Sequence, residues 1–243
     1  MRKIVLLLFC ATVVTVNAQT KNYISIEKGI TICSQSRSIS NAMDKNGFKD
    51  HYHNDLSLII ITLTGDDADN SQTLEEQGNY RIRYGYHLRA KSAVEIGFGH
   101  SYNCTVWGST VAGNDLNTIT VEDKSDLAYA AYMCNTASGN KGIGIGPALS
   151  FCKMQQYSHS GQNTQLIEKK YVLPGAILTS YWNFVNRKNW FLGLRTDVML
   201  TAPLKIDEMK ITNKNDPNFT SVFKQSTAGN SMFALTLTGA VKF

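Results

Sequence analysis

Polar and apolar residues alternate one by one through much of the chain, and a two-residue period predicts β-strands. The clearest stretch runs from Asn79 to Cys104. In its first half Tyr80, Ile82, Tyr84, Tyr86 and Leu88 share one face, while Arg81, Arg83, Gly85, His87 and Arg89 share the other. After a turn at Ala90-Lys91-Ser92, the second half sets Val94, Ile96, Phe98, His100 and Tyr102 against Glu95, Gly97, Gly99 and Ser101. Each half is about 11 residues long, roughly twice the usual soluble strand and close to the length that crosses a bilayer at a tilt.

The pattern recurs to the last residue. Asp126 to Cys134 carries Leu127, Tyr129, Ala131 and Met133 on one side, and Gly142 to Gln155 sets Ile143, Ile145, Leu149 and Phe151 against Gly144, Gly146, Ala148, Ser150 and Cys152. Tyr171 to Phe184 and Trp190 to Pro203 follow around the link 185–189, and Ser231 to Phe243 closes the chain. Short links at 90–92, 135–141 and 185–189 alternate with long ones at 34–78, 105–125, 156–170 and 204–230. That alternation predicts an all-β, up-and-down antiparallel transmembrane β-barrel with short turns on one side and long loops on the other. Seven strands from Asn79 onward require an eighth before it. Two segments compete: 22–33, which sets Lys28 on the apolar face at a cost of about 2–4 kcal/mol at mid-membrane, and the shorter 55–64. The first is preferred, because the second leaves residues 19–54 without a fold.

Glycines decide which face is wet. Gly85, Gly97, Gly99, Gly144, Gly146 and Gly193 all fall on the polar face, where a water-facing strand gains nothing from them and a narrow lumen needs small residues beside large ones. The polar face is therefore expected inside and the apolar face in lipid. Trp182, Phe184 and Trp190 bracket one short link as an aromatic girdle, with Tyr80, Tyr102, Phe151 and Tyr171 near the opposite rim. Pro147 and Pro174 predict bulges, since a closed barrel has no free edge to host them.

Composition changes the picture little. The start Met1-Arg2-Lys3, the apolar run to Val16 and Asn17-Ala18 describe a secretory signal peptide over 1–18, leaving a barrel domain over 19–243. The formal charge is +5, of which Arg2 and Lys3 supply two units, and the remaining cations are scattered, so nucleic acid binding has no support. Cys33, Cys104, Cys134 and Cys152 lie outside the signal segment. Their spacing fits no zinc site and favours no disulfide pairing, so buried thiols are expected.

On these residues the chain resembles the small outer-membrane β-barrels of Gram-negative bacteria, the OmpA/OmpX-like eight-stranded group often labelled a porin family. The pattern Phe233-x-Leu235-x-Leu237-x-Gly239-x-Val241-x-Phe243 looks like the terminal signal read by the barrel-assembly machinery. The resemblance implies export to the cell outer membrane, insertion among its lipids and a monomer. No peptidoglycan-binding segment is expected after the barrel.

Candidate chemistry is sparse. His51, His53 and Asp55 sit within five residues but lack a fourth ligand, and Asp66, Asp67 and Asp69 lack the glycine and closing glutamate of a calcium loop. His100 and Ser101 are adjacent on a strand, so they point to opposite faces and form no base–nucleophile pair. No cofactor, metal or catalytic set is expected. The phases place Glu27, Arg81, Arg83, Arg89, Glu95, Asp126, Arg195 and Asp197 inside, with His87 opposite Glu95, as a salt-bridged plug. The reading is a non-enzymatic barrel whose outer loops bind an unidentified extracellular ligand or support the envelope. A small passive pore, a lipid-modifying barrel enzyme and a secreted lipocalin-like binder stay open.

Overall fold

The fold is known from a computed structural model, which describes residues 22–50, 78–89, 91–112, 115–160, 163–213 and 218–243. The signal segment, the rival strand 55–64 and the histidine and aspartate clusters at 51–55 and 66–69 lie outside these residues. The elements are β1 (Asn22–Cys33), α1 (Gln35–Lys45), β2 (Lys49–Asp50), β3 (Gly78–Arg89), β4 (Ser92–Ala112), β5 (Asp115–Asn135), β6 (Lys141–Ser160), β7 (Asn163–Asn186), β8 (Trp190–Ile206), β9 (Met209–Thr212), β10 (Thr220–Phe223) and β11 (Ser226–Lys242). Antiparallel pairing runs β4-β3-β1-β11-β8-β7-β6-β5, and β5 returns to β4. This closes the expected eight-stranded up-and-down barrel, with β1 as the strand required before Asn79. β1 pairs with β11 and β3 at once, as in Ile26 against Gly239 and Ile82. Lys28 does stand on the outer face, between Tyr80 and Leu237.

Near the short turns the barrel is apolar outside. Ile82, Phe98, Ile145 and Leu200 are each about 60% exposed, and Phe233, Leu235 and Leu237 extend the same band. Trp182, Phe184 and Trp190 sit at its turn end. Soluble monomers rarely expose an apolar patch of more than a few hundred square ångströms; here such residues encircle the barrel. The described helix is not long and apolar enough to cross a membrane.

Glycines let large side chains lie flat against the inner wall. A Cβ at Gly85 would stand 2.1 Å from the Tyr23 ring, and one at Gly97 would stand 2.3 Å from Tyr129. Gly142 faces Tyr181 in the same way, and Gly144 faces Met133. The lumen is thus filled by bulky residues of one strand lying over glycines of the next, the packing that a narrow ring demands.

The phase of two strands differs from expectation. In β5 the side with Leu127, Tyr129, Ala131 and Met133 points inward and is buried, so Asp126 points outward. The glycines of β4 and β6 provide the reason, since Tyr129 and Met133 fill the spaces that Gly97 and Gly144 leave. In β4 a register irregularity between His100 and Tyr102 turns Tyr102 into the lumen, away from the outer rim. Cys134 is exposed on the outer face, while Cys33, Cys104 and Cys152 are buried; all four carry thiols and no disulfide. Neither proline makes a bulge in the β6–β7 ladder, whose register runs unbroken through Pro147 and Pro174. Pro174 stands where the β7–β8 pairing ends, just beyond Gly175 and Thr201.

The long links are mostly strand. β4 and β5 stay paired from Ser92 and Cys134 out to Ala112 and Asp115, and β6 and β7 from Lys141 and Trp182 out to Ser160 and Asn163. The described residues of 105–125 and 156–170 therefore continue the barrel wall. Beyond His100 and Asp126 the polarity of that wall reverses. Val106, Ile119, Val121 and Met154 now point inward, and Lys124, Lys153, Glu168 and Lys170 outward. Within 34–78 the structure shows α1, whose Ile39 and Met43, one turn apart, are fully buried. Gly47, at φ 78°, makes the turn that follows the helix and brings Phe48 to Phe223 at 6.2 Å.

Every strand in a closed ring has both neighbours, so unheated detergent should leave the ring intact. The extracted protein is expected to change its gel mobility on boiling in SDS. Identical bands with and without heating would contradict the closed ring.

Candidate functional site

Among the described residues, the lumen gathers a buried cluster of ionisable side chains. Glu27 comes from β1, Arg81 and Arg83 from β3, Glu95 from β4, and Arg195 and Asp197 from β8. All six are at most 3% exposed. Each sits in a strand of strict alternation, so a two-residue spacing sends Arg81 with Arg83, and Arg195 with Asp197, to the same wall. Across β1 and β3, Glu27 stands directly opposite Arg81.

Arg83 is the centre of the cluster. Its Nη2 lies 2.7 Å from Asp197 Oδ2, its Nε pairs with Glu27 Oε1, and its Nη1 is 3.9 Å from Glu95 Oε2. Arg81 also pairs with Asp197. Arg195 pairs with Glu95, reaches Glu27 at 3.5 Å and donates from Nε to Thr179 Oγ1 at 3.1 Å. Two tyrosines cover the cations, with the Arg83 guanidinium carbon 4.9 Å from the Tyr129 ring centre and that of Arg195 5.5 Å from Tyr181. Tyr23 donates its hydroxyl to Glu95. Three cations meet three anions, so the layer is neutral.

Of the expected charge network, Glu27, Arg81, Arg83, Glu95, Arg195 and Asp197 assemble, and three residues do not. Asp126 is outside, where its Oδ1 lies 3.0 Å from His100 Nδ1. Arg89 is exposed at the end of β3, past an irregularity between His87 and Arg89. His87 lies below the cluster, its ring 5.6 Å from Tyr23. It lines a vestibule of about 170 Å³ at the turn end, together with Glu95, Tyr181, Asn183, Phe191 and Lys242. The vestibule ends at the charge layer. Phe233, Leu235 and Leu237 face outward as the terminal pattern requires, with Val241 and Phe243 half-buried at the turn end.

Above the charges lies a polar layer that the sequence did not announce. The Tyr102 hydroxyl stands 3.1 Å from Asp123 Oδ2 and 3.0 Å from Asn230 Oδ1, and it also meets Gln35 Oε1 from α1. Ser125 and Ser150 share a hydrogen bond of 2.6 Å beside Cys152. The sequence alternates without a break through Ser101 and Tyr102, so the irregularity that turns Tyr102 inward left no signal there. Above it the apolar plug of α1, Val106, Ile119, Val121, Leu204, Ile206, Met209, Ile211 and Phe223 fills the far end. Among the described residues, no group of three or more histidine, cysteine or acidic side chains is placed to hold a metal ion. His100 points outward and Ser101 is buried inward, so they form no base–nucleophile pair.

No protein family matches the chain by sequence, and no curated protein does. Solved structures do. The chain is similar to Ail, the attachment invasion locus protein of Yersinia pestis, at 10% identity and a TM-score of 0.39, over 93% of this chain and 99% of that one. It is similar to the outer membrane protein OprG of Pseudomonas aeruginosa at 8% identity and 0.44, over 92% and 97%. Neisserial surface protein A matches at 10% and 0.35, over 91% and 97%.

Removing one member of a buried ion cluster leaves its partners uncompensated, which typically costs about 3–5 kcal/mol. Arg83→Met is expected to lower the urea midpoint of unfolding by a free energy of that order. Glu27→Gln together with Arg83→Met restores neutrality and should recover about 1–3 kcal/mol of it as a coupling term. Strict additivity of the two losses would refute the cluster.

Proposed function

We propose that this chain is a non-enzymatic outer-membrane β-barrel, closed to solutes, that carries rigid hairpins beyond the membrane for contact or envelope support. The exterior supports that location. An apolar belt, with aromatics at its turn end, is continued above by charged strand faces, which is how a barrel meets hydrocarbon and then water. β4 to β7 run to 20 residues or more, while about 9–11 suffice to cross a bilayer. The surplus stands outside, held by its own β-pairing.

One observation carries the closed reading: the lumen is filled along its length. From the turn end, a small vestibule gives way to the neutral charge layer, then the Tyr102 layer, then the apolar plug under α1. A water-filled channel needs about 16 strands, whereas eight enclose a space that side chains fill. Contact with a partner then falls to the hairpin tips, since a rigid scaffold commonly carries function on its connecting ends. In this reading the protein is a monomer. Its partners are outer-membrane lipid, the barrel-assembly machinery acting through Phe233 to Phe243, and an unidentified extracellular ligand. No cofactor takes part.

The test is conductance. Purified protein in planar bilayers is expected to show no large, steady, ohmic steps, and Glu95→Ala, which takes from Arg195 one of its two carboxylate partners, should raise the frequency of brief openings. Stable large steps in the unaltered protein would overturn the closed reading in favour of a pore.

A further inference from the structure

A cavity of about 670 Å³ lies outside the lumen, against the outer wall where α1 leaves β1. Its floor is Ile32, Phe233 and Val198, which stand opposite one another on β1, β11 and β8, with Leu200 one step further toward the hairpin end. These side chains belong to the apolar belt. Its roof is α1, which contributes Ser34, Arg37, Ser40 and Asn41. The roof is pinned in place: Ser34 N donates to Ser231 O at 2.9 Å, Ser231 N donates to Ser34 Oγ at 3.1 Å, and the two hydroxyls share a bond of 2.8 Å.

The chemistry of this groove is ordered from one end to the other. The end continuous with the belt is hydrocarbon, and the end under the helix is polar. Arg37 is the single charged side chain in the lining, and no carboxylate joins it. Arg37 is exposed and makes no ion pair with a described residue. Asn41, one turn along the same helical face, also lines the groove. The nearest acid on that face is Asp44, seven residues from Arg37 and therefore about 10 Å along the helix. A cation held just above an apolar floor, at the level where a lipid changes from chain to headgroup, is complementary to one class of molecule.

We propose that this groove binds one phosphorylated membrane lipid, its acyl chain on Ile32, Phe233, Val198 and Leu200 and its phosphate on the Arg37 guanidinium and the Asn41 amide. The planar guanidinium donates two parallel N–H bonds to a phosphate, a geometry that a zwitterionic headgroup with its own cation satisfies less well. An apolar peptide or a second barrel on the floor would cover Arg37 and leave its charge unpaired. The site rests on the membrane reading above, yet it fails separately from it.

The experiment is native mass spectrometry of the full mature protein, delipidated in neutral detergent and supplied with dioleoyl phosphatidylglycerol or dioleoyl phosphatidylcholine. One phosphatidylglycerol is expected to stay bound through activation, with phosphatidylcholine retained about tenfold less, because its choline cation competes with Arg37 for the phosphate and weakens a charge-assisted bond. Arg37→Gln should lower phosphatidylglycerol occupancy about tenfold by the same argument, and Arg37→Lys should recover part of it. Asn41→Asp, on an exposed helical position, sets a carboxylate beside Arg37 and should weaken binding similarly, which covers the case in which Arg37→Gln fails to fold. Retained heat-modifiable mobility shows that each variant is folded. Equal retention of the two lipids, or phosphatidylglycerol binding untouched by Arg37→Gln and Asn41→Asp, would overturn the site. Displacement of the lipid by equimolar inorganic phosphate would overturn the lipid and leave a simple anion site. Recovery of the exported protein in the soluble fraction would instead sink the membrane reading.

Discussion

A single guanidinium ties four strands together across the lumen. Arg83 projects from β3 and meets Glu27 of β1, Asp197 of β8 and, at longer range, Glu95 of β4. A bare cation in that dry space would be prohibitive, and so would any of the three acids alone. The arrangement is tolerable only when all are present and correctly phased. Moving one strand by a single residue would turn its charges into the apolar belt and its belt residues into the lumen. The cluster therefore selects one register out of the several that backbone pairing alone would accept. Its contribution is to uniqueness more than to stability, since the desolvation of six ions offsets much of their attraction.

Neutrality at that layer makes the rest of the interior consistent. With the charges satisfied among themselves, the barrel needs no water column to solvate them, and side chains fill the remaining space. Tyrosines over glycines do this at the turn end, where Tyr23 lies over Gly85, Tyr129 over Gly97 and Tyr181 over Gly142. Two of these rings, Tyr129 and Tyr181, also cover Arg83 and Arg195, so they both fill and screen.

The wall reverses its polarity part of the way along. Near the turns it is apolar outside and polar within; past His100 and Asp126 charges such as Lys124, Lys153 and Lys170 appear outside, and above the Tyr102 layer Val106, Ile119 and Val121 fill the inside. In β4 the change occurs at the irregularity after His100, which spends one residue to exchange the faces. The hairpin end is thus built like a soluble protein, with its own small core of Ile39, Met43, Phe48, Ile119 and Phe223. That core explains why α1 sits over the mouth and why the groove beneath it has both a greasy floor and a polar roof.

The alternation of residues by itself determined the strand class and the parity of turns that closes the ring, because period two ties each side chain to a face irrespective of distant contacts, and the glycines on the polar face added which side turns inward. It also placed six of the charged residues that meet inside. Alternation does not specify phase where both faces are small or mixed, and so Asp126 was misplaced: Ala128, Ala130 and Ala131 leave β5 without a clear apolar side. Only the glycines of its neighbours, which need Tyr129 and Met133 to fill them, decide which side turns inward. The extension of strands through 105–125 and 156–170 was equally hidden, because polar outward positions there read as loop until an apolar plug lies behind them. Tyr102 and Gln35 are 67 residues apart in the chain, and α1 is an 11-residue, mostly polar segment. Their meeting is decided by closure of the barrel, since only the finished ring provides the mouth that the helix fills.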